Sequence, residues 1–434
     1  MLQGTMKINS LGHLEVGGCD TVGLAKEFGT PLFVYDVALI RNQIRHFRSV
    51  FLKNQIRGQI AYAGKAFSSI AILQLILEEG MALDVVSGGE LYTALKAGFP
   101  PEKIHFHGNN KSPGEISFAL DSGIGYFIVD NFHELELLEE LCRQKQKKVQ
   151  ILLRITPGVS AHTHHYILTG NEESKFGFSL LDGQAKEALQ KVLDSDKIVC
   201  HGVHFHIGSQ IFETDGFILS IERLFHHLVE WKEEWGFEPK IINAGGGFGI
   251  RYTNLDQPLD PEQFIQAIID EIKKQSEQYG ISFPEVWIEP GRSIVGEAGI
   301  TLYTIGTRKD IPGVRTYLSV DGGMTDNLRP ALYGAKYDAL VANKALEVPE
   351  KMVTIAGRTC ESGDILIENI PLAKTNPGDL LAVFATGAYG YAMANNYNRL
   401  PRPAVVFVEN GKAKLVVKRE TYEDLIRNDL PLYD

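Results

Sequence analysis

Residues 61–67 read Ala61-Tyr62-Ala63-Gly64-Lys65-Ala66-Phe67, and an apolar-periodic run over 68–79 follows them. This pattern predicts a buried strand that ends in Lys65 and then turns into a helix. Burial lowers the pKa of an ammonium group, and a lysine with a lowered pKa is a good nucleophile that forms Schiff bases. The alternative is a Lys65 that reaches solvent or pairs with a carboxylate. The ends of the other strands decide between the two.

The bulk composition describes an ordinary globular protein. A length of 434 residues predicts two domains, and 44% hydrophobic with 22% charged residues is an average content. The net charge of -11 argues against nucleic acid or an anionic membrane as a partner. The four cysteines are far apart, and the N-terminus has no signal-peptide pattern. No apolar run approaches the ~20 residues of a membrane span. We therefore expect a cytoplasmic protein.

Apolar strands and helical segments alternate along the first two thirds of the chain. The strand candidates are 58–64, 81–86, 103–107, 125–130, 149–155, 198–206, 239–244 and 285–289. The helical segments between them are 68–79, 89–97, 114–121, 132–145, 183–194, 215–235 and 262–279. Eight such repeats over about 250 residues predict a (β/α)8 TIM-type barrel. A doubly wound open sheet is the alternative, but no Gly-x-Gly-x-x-Gly follows the first strand.

A second pattern begins after residue 298, where strands follow one another with few helices between them. These strands are 302–305, 317–320, 352–355 and 380–384, with a hairpin of 404–409 and 413–418 around Asn410-Gly411. The hairpin predicted over 6–18 should join them, because a lone hairpin is marginally stable. We predict a barrel over 37–297. Residues 1–36 and 298–434 then form a mainly antiparallel, sandwich- or barrel-like β domain.

Polar residues recur where the predicted barrel strands end. In such barrels the active site lies at the carboxyl ends of the strands. The residues there are Lys65, Asp84, Ser87, His107, Asn109, Asn110, Asp130, Asn131, Arg154, His204, His206, Ser209, Glu289 and Arg292. Polar groups at one end of every strand would be expensive in a core. Their convergence predicts an enzyme.

Two histidines at the end of the sixth strand allow two interpretations. His204 and His206 lie two residues apart and share a face of the strand. Such a pair could bind a divalent metal in a hydrolase, or an imidazole could stack on an aromatic cofactor. Gly-Ser follows the pair rather than further ligands, which disfavours a metal. His162, His164 and His165 are expected to be loop-borne and solvated.

A glycine run follows the seventh strand, where barrels often hold a phosphate. Gly245-Gly246-Gly247 would let the backbone approach an anion, and Ser209 and Arg292 could complete the cradle. The alternative is a tight turn or a bulge. Glu289 could receive the proton of a pyridine nitrogen or pair with an arginine. A reactive lysine, a phosphate cradle, a stacking imidazole and a carboxylate for a ring nitrogen together describe pyridoxal phosphate.

At these residues the chain resembles the bacterial diaminopimelate decarboxylases, which are fold-type III pyridoxal-phosphate enzymes. The likeness runs along essentially the whole chain. The barrel motifs are Tyr62–Ala66, His206–Gln210, Gly245–Gly249 and Glu289–Arg292, which ornithine and arginine decarboxylases share. The motifs of the β domain are more specific: Arg329–Tyr333, Cys360–Asp364 and Gly387–Met393.

The resemblance implies a role for each matching residue. Lys65 would form the Schiff base with the cofactor, His206 would stack on its ring, and Glu289 would bind its pyridinium nitrogen. The residues around the phosphate would be Ser209, Gly245, Gly246, Gly247, Gly291, Arg292 and Tyr389. The far end of the substrate would meet Arg292, Arg329, Tyr333 and Tyr389. Cys360 would protonate the carbanion and Glu361 would bind the distal ammonium, both reaching in from the partner subunit of a homodimer.

The resemblance predicts decarboxylation of meso-2,6-diaminopimelate to L-lysine and carbon dioxide, the last step of lysine biosynthesis. Arg329 suits a substrate whose non-reacting end is a carboxylate. The first alternative is a decarboxylase of ornithine, arginine or carboxynorspermidine, and the second is a metal-dependent hydrolase that uses His204 and His206. A non-catalytic relative is disfavoured, because both Lys65 and Cys360 are present.

Overall fold

The structure is a computed structural model that describes residues 2–159 and 174–433. The predictions for His162, His164 and His165 lie outside the described residues. The chain divides into two compact units. One contains Met1–Gln43, Ile250–Gln257 and Ile294–Asp434, and the other contains Ile44–Gly249 and Pro258–Ser293. The borders at 37 and 297 that the sequence suggests remain our proposal for the domains.

The second unit contains a closed barrel of eight parallel strands. We number the barrel strands from first to eighth in chain order: Gly58–Ala63, Ala82–Val85, Ile104–Phe106, Tyr126–Val129, Val149–Thr156, Ile198–His204, Ile241–Asn243 and Glu285–Ile288. The eighth strand pairs with the first in parallel, with Val286 opposite Gly58, so the sheet has no free edge. A short strand, Phe178–Ser179, adds to the fifth. The predicted (β/α)8 barrel is confirmed.

Helices follow the strands, as the period of the sequence predicts. They are Ile70–Glu78, Gly88–Lys96, Pro113–Ser122, Phe132–Lys145, Gln184–Leu193, Asp215–Trp235 and Pro261–Tyr279, with Val37–Asn54 before the first strand and the short Arg292–Val295 after the eighth. Ser87 and Asn131 cap two of them, since their side chains accept from the N–H groups of Glu90 and Glu134. These two polar residues at strand ends are therefore N-caps of the helices that follow. Among the described residues, no helix has both the length and the apolar character to cross a membrane.

An apolar layer fills the middle of the barrel. It contains Ile128, Leu152, Ile241 and Trp287, and the ring of His105 stacks on Trp287 with centroids 4.8 Å apart. Side chains two residues further along these strands point inward in the next layer. That layer contains Asp130, Arg154, Asn243 and Glu289. The strand alternation therefore gathers polar side chains at the carboxyl ends of the strands.

The first unit begins with a small antiparallel sheet of Lys7–Ile8, Leu14–Val16 and Cys19–Asp20, followed by the helix Thr21–Phe28. The predicted N-terminal hairpin is thus confirmed. The larger strands of the first unit are Leu32–Asp36, Gly299–Ile311, Arg315–Val320, Ala339–Val341, Lys351–Ala356, Ile365–Leu372, Leu380–Val383, Ala404–Glu409 and Lys412–Val417. Short helices are Arg329–Tyr333 and Tyr422–Ile426, with 3-10 turns at Ala342–Lys344, Tyr391–Met393 and Tyr397–Arg399.

The longest strand, Gly299–Ile311, organises this unit. It pairs antiparallel with Leu32–Asp36, Leu380–Val383 and Arg315–Val320. Leu32–Asp36 also pairs with Ala404–Glu409, and this is one of two parallel pairings among the larger strands. Ile365–Leu372 was not predicted as a strand. It ends the path of the sheet and contains Pro371, and proline is tolerated at such an edge but obscures the strand in the sequence.

A buried carboxyl in this unit titrates near neutrality. Asp326 is fully enclosed, accepts from the hydroxyl of Tyr303 at 2.5 Å and from the N–H of Gly323 at 3.1 Å. Burial raises the pKa of Asp326 to about 7, although these hydrogen bonds work in the opposite direction. The folded protein therefore binds a proton that the unfolded chain releases near its ordinary pKa of about 3.9.

We expect the stability that Asp326 contributes to be full below about pH 4 and to be lost as pH rises through about 7. Asp326→Asn imitates the protonated carboxyl, so it should gain unfolding free energy relative to the parent at up to about 1.4 kcal/mol per pH unit over this interval. Thermal melts from pH 4 to pH 9 measure the difference. A difference that is independent of pH would contradict the assignment.

Candidate active site

Lys65 lies on a 3-10 turn, Gly64–Ala66, directly after the first barrel strand. Its neighbours Gly64 and Ala66 are buried, whereas Lys65 itself is exposed. The prediction that Lys65 is buried is therefore wrong: the strand stops at Ala63, and Lys65 follows it on the turn. Of the two alternatives, a lysine that reaches solvent describes this position. Its charge lowers the pKa of Asp84 and of Glu90, in opposition to burial, which raises both.

The turn that carries Lys65 is fixed by contacts with the eighth strand. The N–H of Ala63 donates to the carbonyl of Pro290 at 3.2 Å, and the hydroxyl of Tyr62 donates to the carbonyl of Phe67 at 2.8 Å. A Cβ on Gly291 would lie 2.9 Å from that of Ala63. A glycine at this position lets the two strand ends approach each other. Gly291 thus acts on the placement of Lys65 through packing.

Glu289 is the centre of a buried polar group below the barrel rim. We call His107, His204, Asn243 and Glu289 the Glu289 cluster. His204 Nε2 lies 2.9 Å from Oε2 of the carboxylate, while Asn243 Nδ2 donates to Oε1 at 2.7 Å and His107 Nε2 lies 2.9 Å from Oε1. Burial would raise the pKa of the Glu289 carboxyl, but His107 and His204 hold it well below its usual range. Glu289 is therefore an anion.

A second carboxyl beside the cluster behaves in the opposite way. Burial, and after it the charge of Glu289, raises the pKa of Asp84 well above its usual value. Asp84 Oδ1 lies 3.7 Å from His107 Nε2. Burial also lowers the pKa of His107 to about 3, so this imidazole is neutral. The environments of these two neighbouring carboxyls thus push their pKa values in opposite directions, that of Asp84 up and that of Glu289 down.

The two histidines of the sixth strand do not act as a pair. His204 turns to Glu289, whereas Nδ1 of His206 accepts from the N–H of Gly246 at 3.3 Å. Burial, and then the charge of Lys65, lowers the pKa of His206 well below 6.5, so its ring is neutral. The atoms of His107, His204 and Glu289 that could ligate a metal ion do lie within 4.8 Å of one another. Nε2 of His204 is nevertheless engaged with Oε2 of Glu289, and we interpret the group as a buried polar cluster.

The glycine loop is needed by the protein's own packing. A Cβ would lie 2.4 Å from the carbonyl oxygen of Phe205 at Gly245, 2.0 Å from that of Glu289 at Gly246 and 2.2 Å from that of Gly208 at Gly247. Gly245 and Gly247 also have φ values of 69° and 97°. The N–H of Gly245 donates to Asn243 Oδ1 at 2.9 Å. The tight turn that the sequence left as an alternative is present here, and the phosphate role of these glycines remains a prediction.

The loop allows a direct test of this packing. Gly246→Ala should lower the free energy of unfolding by about 1–3 kcal/mol, because its Cβ would overlap the Glu289 carbonyl. Gly114→Ala is the matched control, since nothing lies within 4 Å of its Cβ and it is in the first turn of a helix. The control should be neutral or stabilising by up to about 1 kcal/mol. Equal urea midpoints for Gly246→Ala and the parent would contradict the packing role.

Ser209 and Arg292 come together at the ends of the sixth and eighth strands. The guanidinium of buried Arg292 donates to the Ser209 hydroxyl at 2.8 Å. A guanidinium and a hydroxyl in this arrangement are suitable donors for a phosphate oxygen. The predicted partnership of these two residues is present in the structure. Sequence reasoning missed Asn243, whose amide joins the glycine loop to Glu289.

Arg329 begins a short helix of the first unit and is 7% exposed. Its guanidinium donates to the hydroxyl of Tyr337 at 2.6 Å and lies 4.7 Å from the ring centroid of Tyr252. Burial lowers the pKa of Arg329, but the tyrosines around it, Tyr252 first, raise it above its usual value. Sequence reasoning missed both tyrosines. Tyr333 is half-buried at the end of the same helix. A buried cation surrounded by aromatic rings is suited to an anionic ligand.

The motif Cys360–Asp364 forms a loop in which the first four residues are exposed and the last is a buried anchor. Cys360 and Glu361 are exposed, and Glu361 accepts a short hydrogen bond from the hydroxyl of Tyr397. Asp364 is buried and accepts from the N–H groups of Met324 at 2.7 Å and of Thr359 at 2.9 Å. The loop thus presents its thiol and carboxylate outward from a fixed base. Tyr389, the remaining predicted residue, is half-buried and has a φ of 59°.

The barrel residues fit a pyridoxal cofactor. An exposed amine on Lys65 is available for an aldehyde, Ser209 and Arg292 offer donors for a phosphate, and an anionic Glu289 suits a protonated ring nitrogen. Residues 37–296 match the family described as "Pyridoxal-dependent decarboxylase, pyridoxal binding domain". Fold and site therefore define a protein of the pyridoxal-dependent decarboxylase class, whose cofactor is pyridoxal 5'-phosphate.

Comparison with known proteins identifies the family within this class. The chain is 59% identical over 430 residues to the diaminopimelate decarboxylase of Bacillus subtilis (strain 168), covering 99% of this chain and 98% of the relative. It is 48% identical to that of Staphylococcus aureus (strain COL), with 98% and 99% covered. The diaminopimelate decarboxylase of M. jannaschii in complex with L-lysine matches with a TM-score of 0.93 at 36% identity, with 99% of each chain covered. The chain belongs to the diaminopimelate decarboxylase family.

A relative with another substrate is more distant. The lysine/ornithine decarboxylase of Vibrio vulnificus in complex with putrescine matches with a TM-score of 0.75 at 25% identity, covering 90% of this chain and 97% of that one. The Vibrio vulnificus enzyme shares the fold of this chain, as the barrel motifs predict. The match to the diaminopimelate decarboxylase of M. jannaschii covers 99% of this chain and therefore includes the β domain.

Proposed function

We propose that the protein decarboxylates meso-2,6-diaminopimelate to L-lysine and carbon dioxide, with pyridoxal phosphate as cofactor, as the last step of lysine biosynthesis. The observation that carries the choice of substrate is Arg329. A buried guanidinium surrounded by tyrosines is a fixed cation for the carboxylate at the end of the substrate that does not react. A substrate such as ornithine ends in an amine and would be repelled by this charge.

The residues of the barrel divide the binding of the cofactor between them. When bound, the cofactor supplies an electron sink for the bond that breaks as carbon dioxide leaves. The Lys65 amine would bind the aldehyde of the cofactor, and the Glu289 carboxylate would bind its pyridine nitrogen. The neutral ring of His206 would stack on the cofactor ring. Ser209 and Arg292 donate to its phosphate, together with Tyr389 and the loop Gly245–Gly247, with Gly291 setting the spacing at Lys65.

The residues of the β domain select and protonate the substrate. Arg329 binds the distal carboxylate, together with Arg292 and Tyr333. Glu361 accepts from the distal ammonium, because an exposed carboxylate is complementary to that charge. The Cys360 thiol donates the proton that replaces carbon dioxide on the α-carbon. Cys360 and Glu361 are both exposed on a loop that Asp364 anchors, which supports their reaching the active site of a second subunit.

We therefore also propose a homodimer with shared active sites. Lys65→Ala and Cys360→Ala should each be nearly inactive alone. Mixed and reassembled in equal amounts, they should recover up to about a quarter of the parent activity, because half of the dimers then contain one site with both residues. If the mixture stays as inactive as its components, both residues of a site come from one chain. Analytical ultracentrifugation of the parent gives the control for dimer formation.

Carbon dioxide release tests the function itself. Purified protein with added pyridoxal phosphate is offered meso-diaminopimelate, ornithine, arginine and lysine in parallel, and the products are identified by mass spectrometry. Release from diaminopimelate alone, with lysine as the product, is the expected result. Release from another amino acid would retain the chemistry of the barrel and overturn the role of Arg329. The cytoplasmic location expected from the sequence stays a prediction.

A further inference from the structure

The strongest unexplained feature of the barrel is the number of partners that Glu289 has. A lone carboxylate buried at 6% exposure would be costly, and its usual response is to take up a proton. Here three side chains from three other strand ends converge on it. His107 follows the third strand, His204 ends the sixth and Asn243 ends the seventh, and each is 5% exposed or less. Glu289 is thus held as an anion by groups that have no assigned role in the reaction.

The contacts show which atoms of the partners face Glu289. Nδ1 of His204 is buried and has no hydrogen-bond partner among the described residues. Nε2 is therefore the ring nitrogen of His204 that meets Glu289, at 2.9 Å from Oε2. His107 is neutral because burial lowers its pKa to about 3. Asn243 cannot ionise, and its Oδ1 is fixed by the N–H of Gly245, which leaves Nδ2 directed at Glu289.

The contacts distinguish the two carboxylate oxygens. Asn243 Nδ2 donates to Oε1 at 2.7 Å, and His204 Nε2 lies 2.9 Å from Oε2 in hydrogen-bond geometry. His107 Nε2 lies 2.9 Å from Oε1 but does not have the geometry of a hydrogen bond. Among the described contacts, His204 is therefore the residue that fixes the direction of Oε2.

We propose that His204 is a positioning residue of the decarboxylase: through its contact with Oε2 it fixes the Glu289 carboxylate as the anion for the pyridine nitrogen, while Asn243 donates to Oε1 and His107 lies beside it. This inference rests on the proposed function, because it concerns the protonation of the cofactor's ring. The titratable groups whose charges act on Glu289 or are acted on by it are Asp84, His105, His107, Arg154, His204 and His206.

The consequence is a measurable proton affinity at the ring nitrogen. Without the His204 donor, Oε2 loses both its direction and part of its stabilisation as an anion. A Glu289 carboxylate that takes up a proton more readily supplies less negative charge beside the pyridinium, and the loss of an opposite charge disfavours the protonated ring. The apparent pKa of the ring nitrogen should then fall, even where the fold and the binding of the cofactor survive. A purely structural role for His204 would not move this pKa.

The test uses the full-length protein reconstituted with 15N-labelled pyridoxal phosphate, and nitrogen NMR across a pH series reports the protonation of the ring. His204→Leu should lower the midpoint of the nitrogen titration by at least about one pH unit, a tenfold change in proton affinity. His204→Gln places an amide N–H close to the position of Nε2 and should restore the midpoint to within about half a unit. The affinity of each variant for the cofactor is measured in parallel.

A matched control lies one layer deeper in the barrel. His105 is as buried as His204 but stacks on Trp287, so His105→Leu should leave the midpoint in place. If His204→Leu does not fold, the pair His107→Leu and His107→Gln tests the other imidazole of the cluster, whose Nε2 lies 2.9 Å from Oε1. A folded Leu variant that binds cofactor fully and titrates like the parent would overturn the inference alone. A parent protein that binds no pyridoxal phosphate would instead overturn the proposed function, and the inference with it.

Discussion

Lys65→Ala should lower kcat for diaminopimelate by at least about 10³-fold, because the variant has no amine to hold the aldehyde of the cofactor. The side chain is exposed on its turn, so its removal should change the stability by less than about 0.5 kcal/mol. Loss of activity without loss of stability separates a chemical role from a structural one. The absorbance band near ~420 nm that a lysine-bound cofactor gives should also disappear.

The measurement pairs steady-state carbon dioxide release with a thermal melt and an absorbance spectrum of the variant. Lys53→Ala is the control, since Lys53 is an exposed lysine of the same unit that forms an ion pair with Glu262 at the surface. It should retain the parent activity and the parent spectrum. A Lys65→Ala protein that released carbon dioxide at the parent rate would refute the assignment of the reactive lysine.

Arg329→Lys should lower kcat/KM for diaminopimelate by roughly 10²-fold, mostly through KM. A lysine keeps the charge but loses the planar fork that binds a carboxylate through two parallel hydrogen bonds. It also cannot reproduce both the bond to Tyr337 and the contact with the ring of Tyr252. Tyr337→Phe removes only the bond to the guanidinium and should give a smaller rise in KM with kcat preserved.

Arg308→Lys is the matched control for this prediction. Arg308 lies in the same unit but forms an exposed ion pair with Asp310 at 2.9 Å, and pairs of this kind contribute little. Its kinetic constants should equal those of the parent. If Arg329→Lys also left KM for diaminopimelate unchanged, the distal carboxylate would be bound elsewhere, and the preference for this substrate over ornithine would need another explanation.

The elements of the barrel could be predicted because their signals are local. Each strand is a short apolar run and each helix has an apolar period, so all eight repeats are visible in the sequence without knowledge of their contacts. The capping roles of Ser87 and Asn131 were also visible, since Glu90 and Glu134 follow them at the spacing of a capping box. Both residues also stand at strand ends, where polar side chains predict an active site.

The features that could not be predicted depend on contacts between distant segments. Asn243 and Glu289 are 46 residues apart, and His107 and Glu289 lie on strands that are not neighbours in the barrel. The burial of Lys65 was mispredicted for a related reason, since its exposure depends on a single turn after Ala63. Family resemblance named Glu289 and Arg329, but it did not name the residues that hold them.

The pairing of Leu32–Asp36 has a consequence for how the chain folds as the ribosome makes it. This strand is synthesised early, but one of its two neighbours, Ala404–Glu409, lies about 370 residues further along the chain. All eight barrel strands emerge before that neighbour does. The nascent strand therefore has an unpaired edge throughout most of translation, and unpaired edges invite association with other chains. Chains that terminate before residue 404 should for this reason depend on chaperones, while a barrel segment made alone carries no such open edge.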